Sequence, residues 1–259
     1  MMRINRTDAH RINLLYQTQN SYNARYTSAL KWLGLLLSGY LFNRVICVYG
    51  NLPEDYLEMS FLGHVVTLAN LLLMGFMQGW FCEVIEDTAR NTALFKSHLF
   101  IFIYFATFPI FAVIGNWSFL AHSVTTETQV PLDFAIFLFV LSLVVLLVVT
   151  WHLWYARTVF LRSADFKAYC AGRAVAFCFF LGSLLLAEAD GKPIVIHLHH
   201  YFLAWVISLF AVFNHPISIV TLGITAAVFV QGLSTYSAAA IIFRPTDRRP
   251  LTKFSSFIC

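Results

Sequence analysis

Histidine is the residue type in this sequence whose spacing could support metal or haem binding. Nine histidines occur in the chain, and three of them lie in the stretch HLHH at 197–200. Neutral imidazole is a common metal ligand and a good axial ligand for haem iron. On a helix, His197 and His200 share a face whereas His199 points almost oppositely. The spacing therefore predicts a metal site that uses His197 and His200, with His64 as a candidate third ligand.

The composition indicates whether the chain that carries these histidines is surrounded by water or by lipid. Hydrophobic residues make up 59% of the 259 residues and charged residues only 12%, and the mean hydropathy is +0.71. A soluble domain carries about 25% charged residues, so this chain lacks the polar surface to face water all round. Its net charge of +4 is explained by basic residues in the loops on one side of a membrane. We therefore expect no nucleic-acid partner.

Seven apolar segments are long enough to cross a hydrocarbon core of about 30 Å as helices. Strict alternation of apolar and polar residues is absent from them, which argues against a β-barrel. The sequence thus predicts an all-α, polytopic membrane helix bundle of about seven transmembrane helices. The predicted spans are 32–49, 59–81, 97–117, 132–154, 171–187, 196–213 and 217–240.

Basic residues predict the orientation of the bundle. Five bases and one acid precede the first span, which favours the inner side for the N-terminus. We therefore expect a polar basic segment at 1–31, a transmembrane domain at 32–243 and a basic tail at 244–259. Seven spans place this tail outside although its four bases favour the inner side.

This orientation sorts the histidines into two levels. The outer level is His64, His122, His197, His199 and His200, and the inner level is His98, His152 and His215. Two levels are suited to two b-type haems near the two membrane surfaces. They also arise without any ligand, because polar side chains concentrate at helix ends where a membrane meets water.

The haem interpretation has a counterpart in a known family. The stretch FLGHVVTLANLLLMGFMQGW followed by FKSHLF resembles the second and third helices of cytochrome b561-type proteins, with His64 and His98 as the corresponding ligands. The resemblance implies a di-haem electron carrier with haem b. The other candidate ligands are His152, His197 and His200, which have no clear counterpart in the family.

A second resemblance covers the last fifty residues. The string HLHHYFLAWVISLFAVFNHPISIVTLGITAAVFVQGLSTY is similar to the closing transmembrane segment of uncharacterised multi-pass proteins, some of them fungal proteins with an LCCL domain. The cysteine-rich LCCL module itself is absent from this sequence. The resemblance implies residence in a membrane.

These observations leave three candidate functions. No phosphate-binding loop, nucleophile elbow or zinc-protease motif occurs in the sequence, so no catalytic residue is predicted and an enzyme is conceivable only through the histidines.

The N-terminal composition, rich in Arg, Ser and Asn, is typical of mitochondrial proteins. We expect an accessory or structural subunit of a larger membrane assembly, with the mitochondrial inner membrane as a candidate location. Its expected partners are the bilayer, bound lipids and other membrane subunits. A di-haem electron carrier is the alternative, and a transporter or channel comes third.

Overall fold

The computed structural model describes residues 6–50, 60–115, 132–188, 195–196, 200–236 and 242–243, with side chains for 22–50, 60–114, 132–178 and 201–235. Within these ranges nearly every residue is helical, which confirms the all-α prediction. The elements are α1 Arg6–Tyr49, α2 Phe61–Phe81, α3 Thr88–Lys96, α4 His98–Gly115, α5 Leu132–Val159, α6 Ser163–Glu188, β1 Val195–Ile196, α7 His200–Ser208, α8 Pro216–Tyr236 and β2 Ile242–Phe243. The predicted basic tail at 244–259 lies outside the described residues.

Four of the described helices are long and apolar enough to cross a membrane. They are Tyr22–Tyr49 within α1, the whole of α2, the whole of α5 and Pro216–Thr235 within α8. The α3 and α4 helices form a fifth candidate span that is bent by 67°. The chain is therefore a helical membrane protein, and its seven crossings stay a prediction. Inner and outer refer below to the predicted orientation.

The predicted span 196–213 differs most from the described structure. Its helix, α7, has nine residues and ends at Ser208, so it rises only about 14 Å and covers less than half of a hydrocarbon core of about 30 Å. Residues 209–215 follow as an irregular connector, and Pro216 opens α8. Proline suits a first helical position because its fixed φ matches the helix and its missing N–H has no partner there.

The central element of the bundle is α8. In its apolar stretch 78% of the residues are buried, and the helix packs against α1, α2, α4 and α7. The core at these contacts contains Trp32, Leu36, Tyr104, Phe229 and Leu233, all without solvent exposure. Burial of such side chains stabilises the bundle chiefly through close packing, because lipid tails are as apolar as the core.

The α7 and α8 helices form a hairpin. Strands β1 and β2 pair antiparallel, with Val195 opposite Phe243 and Ile196 opposite Ile242. This pairing joins the chain before α7 to the chain after α8. Gly232 lies directly against Tyr201, so that a Cβ at Gly232 would overlap the Tyr201 side chain. Glycine is required there because the two backbones approach closely.

The α5 helix lies at the edge of the bundle. Only 6% of the residues in its most apolar stretch are buried inside the protein. Its inner end is attached to α6 and to the connector through a small cluster of buried residues formed by Ala156, Tyr169, Val212 and Phe213. Most of the length of α5 therefore faces lipid or another molecule.

Candidate functional site

The inner end of α2 closes with a backbone turn that brings a carboxylate beside two arginines. The N–H of Val84 binds the Gly79 carbonyl over 2.9 Å, and the N–H of Glu83 binds the Trp80 carbonyl over 2.9 Å. This is the hydrogen-bond pattern of a Schellman motif, whose C′ residue is usually glycine. Here the position is held by Glu83 at φ 59°, where a side chain is strained.

The connector 209–215 is non-helical backbone beside this turn. Its amides are paired locally: the N–H of Ala211 binds the Ser208 carbonyl over 2.9 Å, and the N–H of Phe213 binds the Ser218 hydroxyl over 3.1 Å. Leu209 and Ala211 are buried, and buried backbone carbonyls need partners from the protein. Three consecutive carbonyls, those of Leu209, Phe210 and Ala211, receive them from side chains of α3 and α6.

Arg90 provides the first of these side chains. It lies on α3 and is 1% exposed. Its Nε donates to the Cys82 carbonyl over 2.7 Å, its Nη2 donates to the Ala211 carbonyl, and its Nη1 donates to Asn214 Oδ1 over 3.3 Å. One guanidinium thus links the end of α2 to the connector.

Arg173 and Tyr169 provide the other two side chains, from α6. Arg173 donates from Nε to the Leu209 carbonyl over 2.9 Å and from Nη2 to the Phe81 carbonyl over 3.0 Å. Its guanidinium lies 3.9 Å from the centre of the Tyr169 ring, and the Tyr169 hydroxyl donates to the Phe210 carbonyl over 2.9 Å. We call Arg90, Tyr169 and Arg173 the inner cluster.

The electrostatics of the inner cluster follow from where it lies. The C-terminal ends of helices carry partial negative charge, and the two arginines lie at the ends of α2 and α7. Burial raises the pKa of the Glu83 carboxyl, while Arg90 and Arg173 oppose that shift. Burial also raises the pKa of the Cys82 thiol to about 12, so this thiol stays protonated and donates to the Ser208 carbonyl. The inner cluster is therefore suited to holding helices together.

Of the predicted ligands, His64 is half-buried near the outer end of α2. Its Nδ1 lies 2.7 Å from the Tyr40 hydroxyl of α1. A second polar link lies one turn further along α1, where Asn43 Nδ2 donates to Ser234 Oγ of α8 over 2.6 Å. In their described contacts, these outer polar groups tie helices to one another.

His152 is the most enclosed of the predicted ligands whose side chains the structure describes. It is fully buried on α5, and its Nδ1 lies 2.8 Å from the Val148 carbonyl. Since a carbonyl only accepts, Nδ1 carries the proton and Nε2 presents a lone pair. That Nε2 is buried and has no hydrogen-bond partner among the described residues.

His215 joins His152 beside one indole. The Trp151 ring centre lies 4.8 Å from that of His152 and 4.7 Å from that of His215. The Ile217 N–H donates to His215 Nδ1 over 3.3 Å, which leaves the proton of a neutral His215 on Nε2. Two members of the predicted inner level are thus brought together.

The third inner histidine, His98, is exposed at the start of α4. His98 is thus exposed whereas His152 is buried, and the inner haem stays a prediction. His122, His197 and His199 lie outside the described residues, and His200 opens α7 with its side chain outside them. Within the described part of the chain, no group of three or more His, Cys, Asp or Glu residues could hold a metal. The site at His197 and His200 stays a prediction.

The residues of the inner cluster were not predicted from the sequence. Neither Arg90 nor Arg173 was among the site residues predicted from the sequence. Arg173 nevertheless falls inside the predicted apolar span 171–187, and an ionisable residue within a span is a signal of a specific partner. Arg90 gives no such signal, because it lies in a polar stretch of sequence.

The comparisons with known proteins add no assignment. No protein-family model, no curated protein and no solved structure matches this chain. The resemblances to cytochrome b561-type and LCCL-type proteins therefore stay predictions.

Proposed function

We propose that this protein is an accessory or structural subunit of a larger membrane assembly, with the mitochondrial inner membrane as its location. The observation that carries the proposal is the contrast between two parts of the chain. The polar side chains of the inner cluster bind the chain's own backbone, whereas α5 leaves nearly all of its apolar length uncovered.

The inner cluster supports a structural role over transport. In many transporters, the C-terminal ends of half-helices and unwound carbonyls coordinate the transported cation. Here the short helix α7 and its connector offer such carbonyls, but Arg90, Tyr169 and Arg173 bind those of residues 209–211. Uptake of solutes by vesicles that contain the purified protein tests the transport alternative, and saturable uptake would support it.

The outward face of α5 supports a role in assembly. Phe139 is 71% exposed, and Leu146 and Leu147 are each 61% exposed. In a membrane such a face contacts lipid or the helix of another subunit. A subunit whose inner cluster binds its own backbone and whose α5 face is uncovered is suited to packing against neighbours.

A matched pair of phenylalanines on α5 tests this proposal. Phe134 is 5% exposed and Phe139 is 71% exposed, so a benzophenone side chain can replace either with a similar aromatic group. In native membranes we expect Phe139 to cross-link to one defined subunit in stoichiometric yield, and Phe134 to cross-link only within the chain. Lipid adducts alone from Phe139, together with a monomer on native gels, would contradict the proposal.

The location needs a test of its own. Fractionation of cells, followed by protease treatment of intact and of swollen mitochondria, shows which membrane holds the chain. We expect the protein in the inner-membrane fraction. Recovery in another membrane would remove the mitochondrial part of the proposal and leave the structural part standing.

A haem-binding role is the second candidate, because His152 has the arrangement of a ligand histidine. Ligating histidines usually donate their other ring N–H to a carbonyl or carboxylate, as His152 does to Val148. His98, another candidate ligand of the inner level, is exposed at the start of α4. An absorption spectrum of the purified protein decides: a Soret band that is lost in His152→Ala would favour haem, and a colourless protein would exclude it.

A further inference from the structure

The turn between α5 and α6 combines exposed apolar and exposed basic side chains. Leu161 is 96% exposed and Trp154 is 61% exposed. Between and beside them, Arg157, Arg162 and Lys167 are all exposed. We call residues 154–167 the basic turn. An almost fully exposed leucine flanked by bases is costly in water and favourable where headgroups meet acyl chains.

The length of α5 places this turn at headgroup level. With 28 residues the helix is about 42 Å long, which exceeds a hydrocarbon core of about 30 Å. The last turns of α5 follow the predicted span 132–154 and carry Arg157, so the excess length lies at this end and extends beyond the core. Trp154 is the last residue of that span, and tryptophan is enriched at such interfaces.

The charge of the basic turn is unbalanced. It contains three bases and one acid, Asp165. Arg157 lies 5.8 Å from the centre of the Phe166 ring, which holds it against the start of α6. Among the described residues, no acceptor binds the side chains of Arg162 or Lys167, so both are available to a ligand in the headgroup layer.

We propose that the basic turn binds the headgroup of an anionic phospholipid of the inner leaflet, with Leu161 in the acyl boundary. Arg162 and Lys167 bind the phosphate, since a guanidinium pairs with phosphate through two parallel hydrogen bonds and an ammonium acts as a compact point charge. The proposal requires a membrane helix bundle and is independent of the accessory role.

Native mass spectrometry of the purified full chain tests the proposal, with phosphatidylglycerol and phosphatidylcholine as the two probes. The variant Arg162→Gln/Lys167→Gln removes the two free bases. Arg25→Gln/Lys31→Gln is the matched control, because it removes two exposed bases of α1 and changes the net charge equally.

We expect phosphatidylglycerol to bind more tightly than phosphatidylcholine. Binding should weaken by about 30-fold in the basic-turn variant, since each base near an anionic surface contributes about fivefold, and should be unchanged in the control. Equal binding of both lipids, or equal losses in both variants, would overturn the proposal.

A second variant distinguishes a lipid from a free phosphate. Leu161→Gln keeps the charges and removes the apolar contact, so it should weaken phosphatidylglycerol binding by several-fold. Inorganic phosphate at the same concentration should not displace the lipid. Displacement by phosphate, together with no effect of Leu161→Gln, would show a simple anion site and refute lipid binding.

Discussion

The guanidinium of Arg90 and the backbone carbonyl of Cys82 are joined by a hydrogen bond of 2.7 Å from Nε. The same guanidinium reaches the connector at Ala211, so a cation from α3 joins the ends of α2 and α7. Its described hydrogen-bond partners are two carbonyl oxygens and an amide oxygen. The partial negative charge at the ends of α2 and α7 therefore provides the counter-charge that a carboxylate would supply in a salt bridge with Arg90.

Arg90→Met should destabilise the protein by about 3 kcal/mol or more, because two buried carbonyls lose their donor and each costs about 1–3 kcal/mol. Thermal unfolding in detergent measures the effect. Arg162→Met is the matched control, since that arginine is exposed. Similar melting temperatures for the two variants would show that Arg90 does not support the connector.

Tyr169→Phe should destabilise the protein by about 1 kcal/mol, the usual net contribution of one hydrogen bond. The change removes only the hydroxyl that donates to the Phe210 carbonyl and keeps the ring beneath Arg173. Tyr22→Phe, at a residue that is 67% exposed, is the control and should leave the unfolding temperature unchanged. The Val212 N–H also binds this carbonyl over 3.0 Å, so an unchanged Tyr169→Phe would mean that this bond alone satisfies it.

Replacement of Glu83 by glycine and by alanine separates backbone strain from charge. Both substitutions remove the carboxylate, but only glycine adopts φ 59° without strain. Glu83→Gly should therefore be more stable than Glu83→Ala by about 1 kcal/mol. Chemical unfolding of the two variants under the same conditions measures this difference, and a more stable alanine variant would contradict it.

The ionisation of Glu83 should make stability depend on pH. Burial raises the pKa of this carboxyl above its ordinary value, so the folded state binds the proton more tightly than the unfolded state does. Its contribution is complete below the ordinary pKa and is lost as the pH rises through the folded pKa. Relative to Glu83→Gln, the unmodified protein should lose stability across this window. A difference in melting temperature that does not vary with pH would refute the shift.

The helices could be predicted because each depends on a local property of the sequence. A long apolar run must be helical in lipid, and each of the seven predicted segments overlaps a described helix. The end of α7 at Ser208 could not be predicted, since the donors for its connector come from Arg90 and Arg173, far away in the sequence. For the same reason the sequence predicted histidines as candidate ligands and did not predict the arginines of the inner cluster. His152 was a predicted ligand, but the contacts with Val148 and Trp151 that define its surroundings required the fold.

Two glycines of the helix bundle should respond oppositely to the same substitution. A Cβ on Gly79 of α2 would lie 2.7 Å from Trp32 Nε1 and 3.0 Å from Ile85 Cδ1, whereas one on Gly34 of α1 would meet nothing within 4 Å. The Trp32 indole is buried and donates to the Gly75 carbonyl over 2.8 Å, so it cannot move without losing that bond. Gly79→Ala should therefore destabilise the protein by about 1–3 kcal/mol through overpacking. Gly34→Ala should stabilise it by up to about 1 kcal/mol, because alanine is the better helix former. Thermal unfolding of both variants in one detergent measures the pair, and a tolerated Gly79→Ala would show that α1 and α2 do not pack this closely.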